Sequence, residues 1–172
     1  MKNTVKLLAL VAFIFVAFAA SAQTAKPIKL GHLDVQKLMS IMPESKKADE
    51  TLQAKQTEIQ NELKSMTETY QKLFQDYQAN AKTYNDLVRA NKEQEIQTLG
   101  ERIQSFRELA DQQLQETYQK LMGEIMEKIQ KAAQEVGKEN GFTYIFTQNA
   151  LLFAADNSED VLPLVKKKLG IQ

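Results

Sequence analysis

The sequence has 172 residues with 22 basic and 22 acidic side chains, one histidine and no cysteine. That balance offers no basic excess to a nucleic-acid backbone. The lack of cysteine excludes disulfides and thiolate metal sites, so stability must come from packing or association.

The chain opens as an export signal. Lys2 and Lys6 form a positive start, Leu7 to Ala20 an uncharged apolar run, and Ala20-Ser21-Ala22 a small-x-small cleavage pattern. The apolar run is shorter than the ~18–20 residues of a bilayer span, so residues 1–22 are expected to be removed. Without a cysteine at that point no lipid anchor is expected. Removing Lys2 and Lys6 leaves the chain with a slight acidic excess.

Residues 23–43 follow as a first body segment. Ile28 to Val35 alternates like a strand, placing Ile28, Leu30 and His32 on one face. His32 reads as a packed histidine of this body, because a metal site would want a second ligand at suitable spacing. Asp34, Glu44 and Asp49 read as capping or solvated carboxylates. With no nucleophile elbow, phosphate loop or dinucleotide glycine pattern, no catalytic, cofactor or metal residues are assigned and no enzyme is expected.

Residues 44–138 are expected to form a helical arm. From Glu44 to Val136 there is no proline, and the glycines are Gly100 and Gly123. An apolar seam runs through Leu52, Gln56, Ile59, Leu63, Met66, Tyr70, Leu73, Tyr77, Asn80, Tyr84 and Leu87 at the spacing of a left-handed coiled coil. A second seam, Ile96 to Val136, has the period of a nearly straight helix. Glu68→Lys72, Glu124→Lys128 and Glu127→Lys131 are candidate i,i+4 pairs. The stripe is narrow, so each helix needs a partner. The seam is weakest at 78–86, where Asn85 or Asp86 can cap a new helix. An antiparallel hairpin with its tip near 80–88 is therefore expected, the alternative being one unbroken helix.

Residues 139–172 return to a body. Asn140-Gly141 ends the arm. Phe142, Tyr144 and Phe146 alternate as a half-buried strand, Gln148-Asn149 turns, and Leu151 to Ala155 reads as a second strand of a β-hairpin. Asp156-Asn157-Ser158 offers caps for a last helix from Glu159 to Leu169. The fold expected is mainly α, a long antiparallel helical hairpin projecting from a short-stranded body made by both chain ends. Such a body is marginal alone and leaves open sheet edges. Self-association is expected, through Leu30, Leu33, Phe142, Tyr144, Phe146, Leu151 and Phe153.

The stretch "IKLGHLDVQKLMSIMPESKKA" and the C-terminal "AAQEVGKENGFTYIFTQNALLFAADNSEDVLPLVKKKLG" resemble the Skp/OmpH family of periplasmic chaperones. The first carries a strand ending in Leu33-Asp34, a short helix, a proline and a Lys-rich helix. On that resemblance Asp34 ends the strand and caps the short helix, and Pro43 starts the arm. The resemblance implies a trimer whose arms enclose a cavity that holds unfolded outer-membrane proteins without ATP. It departs in two respects. The best-known members are strongly basic, whereas this chain is nearly neutral, and His32 stands where relatives tend to have an apolar or aromatic residue. No basic cluster carries over as a lipopolysaccharide site, and Lys166-Lys167-Lys168 reads as the favourable positive end of the last helix.

Phe74, Val88 and Leu109 lie one position off the seam, where a simple coiled coil places polar residues. With Tyr84 they are the candidates for client contact, the other reading being wider packing between the arms. The expected function is an ATP-independent holdase for unfolded envelope proteins in the periplasm, with a structural or adaptor coiled coil as the alternative. Contact of the arm tips with a membrane surface stays open.

Overall fold

The computed structural model describes residues 28–155 and 157–171. The segment 1–22, expected to be an export signal, and the expected cap Asp156 lie outside the described residues. Strand β1 (Leu30–Leu33) starts the body, and Asp34 ends it. The Asp34 side chain accepts from the Lys37 N–H at 2.8 Å and so caps helix α1 (Val35–Ile41). Pro43 opens helix α2 (Pro43–Asn80), where its missing N–H had no helical partner to lose.

A short turn at 81–85 reverses the chain into helix α3 (Asp86–Asn140). Asn85 caps it, accepting from the Val88 N–H at 2.9 Å. At the far end Gly141 takes φ 70°, a left-handed conformation that glycine adopts without strain, and Phe142 N–H closes on Gly137 O. The antiparallel hairpin expected from the seam is therefore present. Lys128 crosses the hairpin to Glu44, not along its own helix to Glu124, while Glu68 pairs with Lys64.

The sheet differs from the sequence expectation. Strand β2 (Tyr144–Thr147) and strand β3 (Glu159–Asp160) flank β1, and both pair with it in parallel. No β-hairpin forms across Gln148-Asn149. Those residues enter a 3₁₀ turn, Gln148–Ala150, and Leu151 to Ala155 forms no strand. The reason is topological. A tight turn can join only antiparallel neighbours, but the whole helical hairpin serves as the crossover from β1 to β2. The loop after β2 then carries the chain to the opposite edge of β1. Glu159, assigned to a helix by its sequence, becomes strand instead. The last helix α4 (Leu162–Leu169) starts later, with Asp160 Oδ1 accepting from Leu162 N–H at 2.9 Å and Pro163 in the first turn.

The core lies where α1, α4 and the end of α3 close over one face of this sheet. Leu33, Leu38, Met42, Ile129, Val136 and Val165 are among its buried residues. Gly31 is where the packing is tightest. A Cβ there would stand 2.8 Å from both Phe142 and Val161, so no side chain fits between strand and core.

The strand faces also correct an expectation. Phe142, Tyr144 and Phe146 do not share a buried face. Ile145 packs on the core near Gly137, while Tyr144 and Phe146 point away from it, their rings 6.0 Å apart. Phe142 precedes the strand and tucks under Lys29, whose Nζ lies 4.0 Å from the ring centre. Alternation predicts that one face is buried, but Ile145 and the aromatics are equally apolar, and only the closing helices decide which side wins.

Candidate functional site

Two surfaces present apolar side chains to solvent, one on the arm and one on the body. On the arm, the seam residues Leu52, Ile59, Leu63, Met66, Ile103, Ala110 and Ile125 turn inward between α2 and α3, and the polar residues between them face out. Tyr118, assigned to the seam, is half out of it, and Leu87 is exposed at the tip.

Phe74, Val88 and Leu109 are all exposed large apolar residues. Phe74 is not free-standing. Its ring lies parallel to that of Tyr70, one turn earlier, at 6.2 Å and 5°. Val88 sits in the first turn of α3. Leu109, 63% exposed, lies 21 residues further along the same helix, roughly 30 Å from Val88 at the helical rise. These residues are therefore spread along the arm and do not converge on one pocket.

Leu109 borders an open groove of about 680 Å³ between the helices. Ile59, Met66 and Phe106 supply the rest of its apolar lining, with Arg102 and Glu62 at its edges. The sequence pattern assigns Ile59, Met66 and Phe106 to the seam alone. That a seam residue also shows one side to solvent follows from the narrowness of a two-helix contact, which the period does not reveal.

Tyr84 belongs to a different arrangement. Its hydroxyl donates to Asp76 Oδ2 at 3.0 Å, and Asn80 Nδ2 donates to the other oxygen at 2.9 Å. Tyr77 donates across the hairpin to Glu93. Partial burial and then the Asp76 carboxylate hold the Tyr84 phenol above its ordinary range. The bond to Glu93 does the same for Tyr77. Together these bonds fasten the end of the hairpin. At its root the Lys128 ammonium keeps the Glu44 carboxyl below the ordinary value. Lys168 on α4 is held protonated, first by Glu139 and then by Glu135, which ties the last helix to the end of α3.

On the body, Leu33 is buried in the chain's own core and Phe142 is half-buried beneath Lys29, so neither is offered at the surface. Leu151 is half-buried. Leu30, Tyr144 and Phe146 are exposed on the outer face of the sheet, and Phe153 with Leu152 is exposed on the loop that follows β2. Among the described residues, no three His, Cys, Asp or Glu side chains gather as a metal site.

Fold and surfaces together define a helical-hairpin protein raised on a small parallel sheet. The model of the OmpH-like outer membrane protein family matches residues 29–169, and the chain belongs to that family. A crystal structure of a proposed OmpH-like outer membrane chaperone from Caulobacter crescentus CB15 has the same fold. It superposes with a TM-score of 0.74 over 83% of each chain at 14% identity. No curated protein matches the sequence.

Proposed function

We propose that this protein is a periplasmic, non-enzymatic chaperone, a holdase that binds unfolded outer-membrane and other envelope proteins without ATP and prevents their aggregation. The observation that carries this reading is the set of exposed apolar side chains, Phe74, Val88 and Leu109, which with Leu87, Tyr118 and Met126 interrupt the polar surface of the arm. A static spacer gains nothing from them. An unfolded chain covering them gains ~25 cal/mol per Å² of apolar surface removed from water, and their dispersal along the arm suits a client with no fixed shape. Membership of the OmpH-like family supports the reading, as does the similarity to the Caulobacter protein described as a chaperone.

In this account the body joins copies, three by the family resemblance, so that their arms flank a shared space. The nearly neutral charge makes apolar contact the main holding force, so binding persists at about 0.5 M salt, where screening shortens electrostatic range to roughly 4–5 Å. The test is dilution of a denatured β-barrel protein into buffer with and without the protein, in the absence of nucleotide. Suppressed light scattering at a fixed ratio of copies to client is expected. Unchanged scattering would contradict the holdase reading and favour a structural or adaptor role.

A further inference from the structure

The two flanks of the hairpin are not alike. On one of them the groove beside Leu109 meets, at Arg102, a second groove of about 560 Å³ that Leu73 and Leu99 line. The lining residues recur every three or four positions, from Lys55 to Leu73 on α2 and from Asn91 to Gln113 on α3. That spacing keeps them on one side of each helix, so the two grooves form a single furrow. The opposite flank holds a separate groove lined by Gln53, Gln56, Gln115 and Tyr118.

The length and chemistry of the furrow indicate what fits it. The stretch from Lys55 to Leu73 rises roughly 27 Å, a distance that about eight residues of extended chain span. Alternate side chains of an extended chain face the same way, and the floor is apolar from Ile59 and Met66 to Leu99 and Leu73. Asn61, Ser105 and Gln113 on the rims of the first groove, and Asn91, Gln94 and Thr98 on those of the second, are exposed groups that both donate and accept. Arg102 adds N–H donors where the grooves meet. An extended backbone carries N–H and C=O groups that lack internal partners, so it can use such rims on both edges. A helix has already committed these groups to its own turns, and an acyl chain has none. Lys55 and Arg102 stand against Glu58, Glu62 and Glu95, which leaves no basic track for a polyanion.

We propose that the furrow grips client segments of about eight residues in extended form, with every second, apolar side chain on its floor and the backbone paired to its rims. The inference rests on the holdase reading above and adds to it a defined flank and a client conformation. Main-chain hydrogen bonds give affinity without demanding a particular sequence, which suits the holding of many different chains. Phe74 lies outside the lining of the furrow and meets clients by apolar contact alone.

The experiment measures anisotropy of a fluorescently labelled octapeptide alternating Leu with Ser, beside the same peptide N-methylated at every Ser. Methylation keeps the side chains and removes backbone donors. Suppression of aggregation of a denatured β-barrel protein is followed in parallel. The methylated peptide is expected to bind about tenfold more weakly, because several backbone hydrogen bonds are lost together. Ser105→Trp fills the furrow while adding apolar surface and should weaken binding of the parent peptide severalfold. Gln115→Trp adds the same surface on the opposite flank and should not weaken it, with circular dichroism showing that both variants stay helical. Failure of the wild type to suppress aggregation would overturn the holdase reading itself. Aggregation suppressed with no peptide bound, equal binding of the two peptides, or tighter binding by Ser105→Trp would overturn the furrow alone.

Discussion

Near the body, α3 buries Ile125, Ile129, Ala132 and Val136 in succession, and they share a core with Leu38 of α1, Val165 of α4 and the junction residues Met42 and Val161. Further out the same helix buries only Ile103 and Ala110 among its described residues, against Met66 of α2. Helix propensity is similar along both stretches. The difference lies in how many elements surround the helix. At the root it has neighbours on several sides, whereas along the arm it has one. A residue just off the seam is thus core at the root and surface along the arm. The body can hold the fold while the arm keeps apolar groups in water, and the exposure costs little because those groups were never part of a core.

Breaking the body should give the largest effect. Leu38 is 0% exposed and sits on a helix one turn past its cap. Leu38→Ala should cost about 2–5 kcal/mol by removing buried methyl groups and leaving a cavity. Denaturant unfolding followed by circular dichroism checks this, and a change below ~1 kcal/mol would mean that the body is not the stabilising region. Breaking the arm at its tip should give less. Asn85→Ala removes the acceptor for Val88 N–H and should cost about 1 kcal/mol, with hydrogen exchange rising around 81–90 while amides of α1 and α4 stay protected.

The smallest effect expected is alkaline loosening of the tip. Tyr77 and Tyr84 are both held above the ordinary tyrosine value of 10.0 by contacts with carboxylates and partial burial. A group raised in the folded state stabilises it below its unfolded value and loses that contribution as the pH rises through the folded one. The tip should therefore loosen above about pH 10, seen as phenolate absorbance together with faster local exchange. Tyr77→Phe should reduce the change at its own site and leave the body's melting unaltered.

The arm was the most legible part of the sequence. Its period, the lack of proline, the Asn85 cap and Gly141 each act locally, so α2, the turn and α3 could be read from neighbouring residues. Asp34 and Pro43 were legible for the same reason. The sheet was not. Whether Leu151 to Ala155 or Glu159-Asp160 provides a strand depends on which segment reaches the free edge of β1, a fact about residues more than a hundred positions apart. The orientation of β2 was hidden too, since Ile145 and its aromatic neighbours are equally apolar and α3 with α4 chooses between them. Tyr84 reads from the sequence as a seam residue and a client candidate, but Asp76, eight residues earlier, holds its hydroxyl. Leu109 could be flagged as off the seam, but the groove beside it arises from the pairing of two helices.

The most direct test of the account replaces Phe74, Val88 and Leu109 together by Ser and measures suppression of client aggregation beside helicity and oligomer mass. The account predicts that holding of an unfolded β-barrel protein falls severalfold while helicity and mass stay close to wild type, with only the Tyr70–Phe74 stacking, worth about 0.5–1.5 kcal/mol, lost from the arm. Undiminished holding by a folded triple variant would contradict it, and so would melting of the arm, which would make these residues part of its packing.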